Sequence, residues 1–353
     1  MALRDRLAAQ IAAAGPLSLA QYMTICLHDP QEGYYATRPG LGAGGDFLTA
    51  PLVSQMFGEL IGLWAGACWR ALGQPPRFRL VEMGPGDGTL MADLIRAGRS
   101  VPGFMEAADL WLVEVSPPLR ALQAERLGQA APQWADRLGA VPQGAPMILV
   151  ANELLDCLPT QQFVRTERGW AERMVGLDDA GELAFGLSPA LPPESHEGAL
   201  GAIFETSPAQ AALGSEIGAR LAADGGAALL IDYGPAPGEA GGDTFQALKG
   251  HQKVDPLVCP GEADLTFHAD FAAVAQAACA EGAGARPLLT QAGFLQRLGI
   301  EARAGALAAA RPDLSDQIGR QFDRLTAHDQ MGELFKVLAL HGPGFTPPAF
   351  EAD

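Results

Sequence analysis

The feature that most constrains the fold of this chain is the alternation of apolar segments with amphipathic ones after residue 77. The segments RFRLVEM, DLWLVEV, PMILVAN and AALLIDYG are predicted to be strands, and TLMADLIRAG and PPLRALQAERL are predicted to be helices. Such alternation is typical of a parallel sheet with helices on both faces. QFVRTERGWAERMVGLDDAGELAF instead predicts antiparallel strands around an Asp-Asp-Ala-Gly turn. We therefore predict an α/β fold, a doubly wound Rossmann-like sheet with an inserted β-hairpin.

The N-terminal part of the chain is predicted to be helical. Residues 3–14, 18–28 and 52–72 each repeat apolar side chains at helical spacing. Residues 29–51 form a glycine-rich passage, which we interpret either as a lid over a binding site or as a linker.

The third of these helices carries glycines at positions 58, 62 and 66, one per turn, which predicts that another backbone approaches that face closely. We divide the chain into an N-terminal helical or lid region, residues 1–75, and a larger domain, residues 76–345. The predicted hairpin forms an insertion in that domain at about residues 161–205.

Charge and composition exclude several classes of function. The formal net charge is −17 and the pI is about 4.7, which disfavours binding to nucleic acid. No apolar run approaches the roughly 18 residues that a membrane helix needs, so we expect no membrane insertion. Five cysteines without a CxxC pair predict reduced thiols, and the N-terminus does not resemble a secretory signal. We expect a cytoplasmic protein, and its oligomeric state stays open.

The loop after RFRLVEM carries the most informative motif. Residues 82–89 read Glu-Met-Gly-Pro-Gly-Asp-Gly-Thr, and the glycines let a ligand approach the backbone at the carboxyl end of a strand. Thr89 replaces the third glycine of a dinucleotide fingerprint, and Asp87 would repel a pyrophosphate at the helix N-terminus. Glu114 ends the next strand, where a carboxylate can accept both ribose hydroxyls. These acids favour the cationic cofactor S-adenosylmethionine over NAD, and a tight turn without any ligand is the alternative.

The predicted cofactor contacts lie in this turn, at the ends of two strands and in the glycine-rich passage. If that passage is a lid, Asp46 and Thr49 are its contacts. The full predicted set is Glu82, Gly84, Pro85, Gly86, Gly88, Glu114, Asn152, Asp46 and Thr49.

Seven blocks of sequence lie along nearly the whole chain: GYYATRPGLGAGGDFLTAP, LVEMGPGDGTLMADLIR, VEVSPPLRALQ, ANELLDCLPTQQFV, LLIDYG, PGEADLTFHADF and MGELFKVLAL. Together they resemble the MidA family of S-adenosylmethionine-dependent methyltransferases. The resemblance implies a methyltransferase sheet, and it implies that the methyl acceptor is an arginine in a core subunit of respiratory complex I. A eukaryotic member of the family would then lie in the mitochondrial matrix. The chain departs from the family at Leu52, where a Glu is usual, and at Cys157, where an Ala is usual.

The guanidinium of an arginine acceptor stays charged at any pH below its pKa of roughly 12.5–13.8. Carboxylates are therefore needed to hold the guanidinium and localise its charge, so that one nitrogen can present a lone pair. Glu153 is the predicted guanidinium clamp, with Asp156 beside it if a helical turn begins there. The alternative is that Asn152 and Asp156 only cap a helix. Asp232 is predicted to contact the substrate at the same edge of the sheet, or else to be a plain turn residue.

The block DLTFHADF offers a further candidate. His268 is a predicted active-site residue, because an imidazole easily accepts a proton near neutral pH. Asp264, His268 and Asp270 match no standard zinc spacing, so we predict no metal. Asp264 or Thr266 is instead predicted to cap the helix FAAVAQAACA.

Two other functions remain open from the sequence. The chain could be a non-catalytic assembly chaperone that keeps the fold only to bind the cofactor, or a methyltransferase for a small molecule. Titration with the cofactor distinguishes a live cofactor site from a fold that no longer binds the cofactor. Detection of a methylated protein product distinguishes a protein methyltransferase from both the chaperone and the small-molecule enzyme.

Overall fold

The structure is a computed structural model that describes residues 2–37, 48–190, 192, 197–236 and 242–351. Within these ranges the α-helices are α1 (Leu3–Ala14), α2 (Leu19–His28), α3 (Tyr34–Thr37), α4 (Ala50–Val53), α5 (Gln55–Ala71), α6 (Thr89–Gly98), α7 (Phe104–Ala107), α8 (Pro117–Leu127), α9 (Pro208–Asp224), α10 (Phe271–Ala280), α11 (Gln291–Arg297), α12 (Ile300–Ala310), α13 (Ser315–Thr326) and α14 (Met331–Leu334).

The strands within the same ranges are β1 (Leu17–Ser18), β2 (Phe78–Met83), β3 (Ala108–Val113), β4 (Gln133–Ala135), β5 (Met147–Asn152), β6 (Gln161–Thr166), β7 (Gly169–Leu177), β8 (Leu183–Pro189), β9 (Ile203–Thr206), β10 (Gly226–Tyr233), β11 (Gln246–Lys249), β12 (Gln252–Val254), β13 (Asp264–Thr266), β14 (Gly284–Ala285), β15 (Leu289–Thr290) and β16 (Phe335–His341).

Contacts between Cα atoms divide the chain into two compact units. Unit 1 consists of Met1–Phe47, Leu155–Gln210 and Pro237–Asp270. Unit 2 consists of Leu48–Leu154, Ala211–Ala236 and Phe271–Asp353. The division at residues 75 and 76 that the sequence suggests stays a prediction.

The main sheet of unit 2 contains the strands that the sequence predicts. Its order is β14-β16-β10-β5-β2-β3-β4, with β15 also paired to β16. The pairs from β10 to β4 are all parallel, so the predicted α/β sheet is confirmed. β2, β5 and β10 are buried along their whole length, as expected for central strands covered on both faces. β16 pairs antiparallel with β10 at the edge of the parallel part, an addition that the sequence does not predict.

The strand register brings the functional loops to one edge. Met83 lies opposite both Val113 and Ala151, and Asn152 lies opposite Ile231. The residues that follow these positions therefore form a row at the carboxyl edge of the parallel strands. This row contains the glycine turn and the ends of β3, β5 and β10.

Helix α5 packs against α6 at Gly58 and Gly62 and against the segment after α6 at Gly66, and the predicted close approach of another backbone is found at Gly62. A Cβ on Gly58 would lie 2.6 Å from the Cβ of Asp93, and one on Gly62 would lie 2.7 Å from the carbonyl oxygen of Leu94. A Cβ on Gly66 would lie 2.8 Å from a Val101 methyl carbon. Only glycine permits this separation of the two helices, because real Cβ atoms do not approach so closely.

The predicted helix 52–72 is interrupted, which corrects the sequence interpretation. Helix α4 ends at Val53, and Ser54 has an extended backbone with φ −161°. The hydroxyl of Ser54 accepts a hydrogen bond from the N–H of Met56, 3.3 Å away. Ser54 is therefore the N-cap of α5, since a serine side chain satisfies the first free N–H groups of a helix.

Unit 1 contains the antiparallel strands that the sequence predicts as an insertion. Their order is β1-β7-β6-β9, with β8 paired to β7. The predicted Asp-Asp-Ala-Gly turn joins β7 to β8, and its Gly181 has a φ of 80°. The predicted hairpin is confirmed, and β1 and β9 extend it to five strands. A second sheet, β12-β11-β13, belongs to the same unit.

The N-terminal helices of unit 1 begin and end where the sequence signals them. Ser18 and Gln21 form a capping box at the start of α2, which satisfies two free N–H groups reciprocally. The guanidinium of Arg6 on α1 donates two hydrogen bonds of 2.8 Å to the carboxylate of Asp29, which follows α2. Among the described residues, the helices are too short or too polar for any of them to traverse a bilayer.

Candidate functional site

The glycine turn lies between β2 and α6 and has a left-handed backbone at three positions. Gly84, Gly86 and Gly88 have φ angles of 64°, 53° and 84°. The N–H of Gly84 donates to the carbonyl of Val113 at 3.1 Å, which fixes the turn to the end of β3. Residues with a Cβ rarely adopt these angles, so the glycines are required by the backbone itself.

Two carboxylates of the chain occupy the N-terminus of α6. Glu82 is 3% exposed and its carboxylate accepts a hydrogen bond from the N–H of Met91. Asp87 Oδ1 accepts from the N–H of Thr89 at 3.0 Å, and Arg126 Nη2 lies 2.9 Å from Asp87 Oδ2. These are the free N–H groups that a phosphate would use at a helix N-terminus. The turn therefore does not suit a pyrophosphate, in agreement with the sequence interpretation.

The ends of β2 and β5 beside this turn contain acceptors that a cationic ligand would satisfy. Glu82 Oε2 and Asn152 Oδ1 are buried and have no hydrogen-bond partner among the described residues. Burial raises the pKa of the Glu82 carboxyl well above its ordinary value, and the nearby charge of Asp87 raises it further. A positively charged donor would stabilise the ionised form and satisfy both acceptors.

Glu114 directly follows β3 and is 8% exposed. Its Oε1 accepts from the N–H of Ser116 at 2.7 Å, and its Oε2 is 3.4 Å from the side-chain nitrogen of Gln123. Burial raises the pKa of the Glu114 carboxyl, while the hydrogen bond from Ser116 opposes that rise. Val115, the next residue, is 57% exposed and presents an apolar side chain beside this carboxylate.

Glu153 departs from the predicted geometry. Its φ is 52°, a left-handed value that is uncommon for a residue with a side chain. Its N–H donates to the carbonyl of Ile231 at 2.8 Å. Its Oε1 accepts from Asn152 Nδ2 at 2.9 Å and from the N–H of Ala50 at 3.2 Å. Glu153 thus connects the end of β5 to the start of α4.

No helix begins directly after β5, so the helical turn expected at Glu153 is absent. Residues 153–160 form bends and turns before β6 begins at Gln161. The premise that Glu153 and Asp156 share a helical face therefore fails, and so does the alternative that Asn152 and Asp156 cap a helix. The cause is the left-handed backbone at Glu153, which turns the chain away from the helical direction.

Asp232 lies at the same carboxyl edge, in β10. It is fully buried, and its Oδ1 accepts from the N–H of Tyr233 at 2.8 Å. Asp232 pairs with Lys336 of β16 in the strand register, so the alternative of a plain turn residue is wrong. Thr49 is the N-cap residue of α4, where its carbonyl accepts from the N–H groups of Leu52 and Val53. Asp46 lies outside the described residues.

Unit 1 contains the other two predicted catalytic residues. Asp156 is buried, and its carbonyl accepts from the N–H of Phe267 at 2.9 Å. The backbone N–H of His268 donates to Thr244 Oγ1 at 3.0 Å. Since His268 follows Phe267 directly, this backbone hydrogen bond brings Asp156 close to the segment that contains His268.

The predicted cap of α10 is wrong. Asp264 and Thr266 lie in β13, and α10 begins at Phe271. The side chain of Asp264 accepts a hydrogen bond from the hydroxyl of Tyr35 at 3.1 Å instead. In the part of the chain that the structure describes, no cluster of three or more His, Cys, Asp or Glu side chains has the geometry of a metal site.

Sequence reasoning missed three residues at the carboxyl edge. Ser116 donates its N–H to Glu114, Val115 exposes apolar surface beside it, and Gln123 joins it to the glycine turn. A signal was present for Gln123, because a polar residue on the buried face of α8 requires hydrogen-bond partners. Val115 gave no such signal, since an apolar residue after a strand ordinarily continues the core.

The fold and the edge together define an α/β protein whose parallel strands end in a row of acidic side chains that suits a cationic ligand. The family model of S-adenosyl-L-methionine-dependent methyltransferases matches residues 60–288. The chain belongs to this family, and its cofactor is S-adenosylmethionine. The predicted membership of the MidA family is confirmed.

Curated relatives cover most of the chain. It is 36% identical to the protein arginine methyltransferase NDUFAF7, mitochondrial, of Danio rerio over 95% of its own length and 85% of the relative. It is 34% identical to the Homo sapiens protein of the same name, over 94% and 81% of the two chains.

A solved structure agrees with this fold. A protein from Burkholderia thailandensis whose crystal structure contains bound S-adenosyl-homocysteine superimposes with a TM-score of 0.85 at 31% identity. The superposition covers 99% of this chain and 92% of the other.

Proposed function

We propose that this chain transfers a methyl group from S-adenosylmethionine to an arginine of a protein substrate. The observation that carries the proposal is the row of carboxylates at the carboxyl edge of the parallel strands in unit 2. Glu82, Glu114, Glu153 and Asp232 all lie at this edge. A row of four carboxylates suits a cationic cofactor together with a cationic acceptor.

The residues of the edge fit the parts of the cofactor. Glu82 Oε2 and Asn152 Oδ1 are the acceptors for its ammonium group, because both are buried without a partner among the described residues. Glu114 is the acceptor for the ribose hydroxyls, and the exposed side chain of Val115 offers apolar surface for the adenine ring. The backbone cradle for the cofactor consists of Gly84, Pro85, Gly86 and Gly88. Thr49, the N-cap of α4, is a further proposed cofactor contact. When bound, the cofactor supplies a methyl group on a positively charged sulfur.

Glu153 is the proposed clamp for the acceptor guanidinium. Its left-handed backbone places a carboxylate directly at the end of β5, and the hydrogen bonds from Ala50 and Asn152 fix the orientation of Oε1. A carboxylate held in this way can orient the guanidinium plane through charge-assisted hydrogen bonds. Strained backbone at an unexpected position is itself a common feature of functional sites. Asp232 is the second proposed contact at this edge.

The guanidinium must also release one N–H proton, so that one of its nitrogens has a lone pair with which to accept the methyl group. His268 is the proposed proton acceptor, since an imidazole is readily neutral near pH 7. Asp156 is the proposed organiser of the segment near it. Both roles are proposals that rest on the family resemblance and on the chemistry of these side chains.

The names of the relatives support an arginine acceptor, because curated proteins 34–36% identical to this chain are called protein arginine methyltransferases. The finer identification, a core subunit of respiratory complex I whose assembly the methylation assists, rests on the family resemblance. A location in the bacterial cytoplasm, or in the mitochondrial matrix of a eukaryote, belongs to the same proposal.

Cofactor titration and product detection together test the proposal. Calorimetric titration with S-adenosylmethionine should give stoichiometric binding. Mass spectrometry of the candidate core subunit should show arginine methylation only with the active protein. Binding without methylation of any partner would favour a non-catalytic assembly chaperone. Methylation of a small molecule, without methylation of any protein, would favour a small-molecule methyltransferase.

Substitution of the clamp separates these outcomes further. Glu153→Gln keeps the shape and the acceptor oxygen but removes the charge, so methyl transfer should fall by at least about 10²-fold. Cofactor affinity and melting temperature should stay close to wild type. Glu301→Gln, at an exposed position on α12, is the matched control and should leave all three measurements unchanged. Retained methylation in a stable Glu153→Gln protein would eliminate Glu153 as the clamp and direct attention to Asp232.

A further inference from the structure

Gln123 is a fully buried polar side chain on α8 that the proposed function does not use. Its Nε2 donates to the carbonyl oxygen of Gly86 at 2.7 Å and lies 3.4 Å from Glu114 Oε2. Its Oε1 accepts from the indole N–H of Trp134 at 2.8 Å. One amide group therefore joins the glycine turn, the residue after β3 and strand β4.

The hydrogen bonds determine the orientation of this amide. The indole nitrogen of Trp134 can only donate, so the carbonyl oxygen of Gln123 must face it. The amino group then faces two acceptors, the Gly86 carbonyl and the Glu114 carboxylate, and it has two hydrogens to donate. Every polar atom of the side chain is thus used, as expected for a side chain without exposure.

Helix α8 also packs directly on the turn at this point. A Cβ added to Gly88 would lie 3.4 Å from the Cα and from the Cγ of Gln123. A side chain at position 88 would therefore touch Gln123, so α8 passes close to the turn here in addition to making the hydrogen bond at Gly86. Movement of Gln123 would change both the turn and the carboxylate.

We infer that Gln123 is a positioning residue of the cofactor site, which sets the separation between the Gly86 peptide group and the Glu114 carboxylate. The inference rests on the proposed placement of the cofactor across these two groups. The Glu114 carboxylate accepts from the backbone N–H groups of Ser116 and Val115, and Gln123 is the side chain that reaches its Oε2. Without it the carboxylate can rotate away from the ribose, and the preference for a ribose with both hydroxyls declines.

The experiment compares the binding of two analogues, S-adenosyl-homocysteine and its 2′-deoxy form, by calorimetry. Gln123→Met keeps the length and burial of the side chain but removes its hydrogen bonds. The affinity of this variant for S-adenosyl-homocysteine should fall at least about tenfold, because the Gly86 carbonyl and the Glu114 carboxylate both lose the donor that holds them in place. The ratio between the two affinities should fall toward one, because the deoxy analogue loses less.

Gln291→Met is the matched control. Gln291 is equally buried and also in unit 2, where its amide donates to the carbonyl of Leu325 at 2.9 Å. Its substitution should reduce stability but leave the ratio of affinities at the wild-type value. If Gln123→Met does not fold, Trp134→Phe serves instead, because it removes only the donor that orients the Gln123 amide and should shift the ratio in the same direction.

The inference is overturned if a folded Gln123→Met or Trp134→Phe protein keeps the wild-type ratio, even when both affinities fall together. It is also overturned if the wild-type protein does not discriminate between the two analogues, since Glu114 then does not contact the ribose. Absence of arginine methylation would contradict the proposed acceptor but would leave this result unaffected, because the assay measures binding alone.

Discussion

The close contact between α5 and α6 gives a prediction whose magnitude follows from the structure. A Cβ added to Gly62 would lie 2.7 Å from the carbonyl oxygen of Leu94, 2.9 Å from its Cα and 3.0 Å from the Cβ of Ala97. Two of these three atoms are backbone, so no side-chain rotation can relieve the overlap. Carbon atoms normally approach only to about 3.5–4.0 Å, and the two helices must therefore move apart in Gly62→Ala.

Two opposing effects determine the free energy of unfolding of this variant. Alanine is favoured over glycine inside a helix by about 1 kcal/mol, which stabilises the substitution. Overpacking of a tight contact costs about 1–3 kcal/mol. Gly305→Ala on α12 isolates the first effect, because a Cβ there meets no atom within 4 Å. We expect Gly62→Ala to be less stable than Gly305→Ala by about 1–3 kcal/mol.

Urea denaturation followed by circular dichroism measures this difference through the midpoint, provided that the slope stays unchanged. The Gly305→Ala protein should unfold at a higher urea concentration than wild type, and the Gly62→Ala protein should unfold at a lower concentration than Gly305→Ala. Equal stabilisation by both substitutions would show that α5 and α6 tolerate a methyl group between them, and it would refute the argument from close packing.

Three further predictions concern the two units. Gly86→Val forces a branched residue to a φ of 53° in the cofactor cradle, so calorimetry should detect no S-adenosylmethionine binding by a protein whose circular dichroism is otherwise native. Because folding raises the pKa of Glu82 above its ordinary value of 4.5, the protonated side chain stabilises the ligand-free protein at a pH below 4.5. That stability is lost as the pH rises through the pKa of the folded state. The melting temperature of Glu82→Gln relative to wild type should therefore increase from pH 4.5 to 8.5, and a constant difference would contradict the assignment. Hydrogen bonds from Arg6 lower the pKa of Asp29 to about 2, so Asp29→Asn should reduce the melting temperature at pH 6 and have progressively less effect as the pH falls from 3.8 toward 2.

The elements of the main sheet could be predicted because each depends on a local pattern. The apolar runs that became β2, β3, β5 and β10 are bounded by polar residues and glycines, and the pattern of burial matches them. The chemistry of the turn was local as well, since Asp87 and Thr89 adjoin the glycines in sequence. An acidic residue at the helix N-terminus disfavours a phosphate there through like-charge repulsion, which the local sequence alone reveals.

The backbone at Glu153 could not be predicted in the same way. With its φ of 52°, Glu153 donates its N–H to the carbonyl of Ile231 and accepts the N–H of Ala50 on its carboxylate, and both partners are far away in the sequence. A local pattern that resembles a helix cap was therefore overruled by tertiary contacts. The break in the predicted helix 52–72 is a milder example, since Ser54 was recognisable as a cap only once the extended backbone there was known.

The sequence by itself determined the class of fold, the cofactor and the set of acidic side chains from which the site is built. Only the tertiary structure decided which of those side chains share an edge, because the register of parallel strands places Gly84, Glu114 and Asn152 side by side. It also decided the use of Gln123, whose partners come from three separate segments. Hydrophobic periodicity specifies how each element forms. A buried hydrogen bond between distant segments depends on where the folded chain brings them, and no local pattern contains that information.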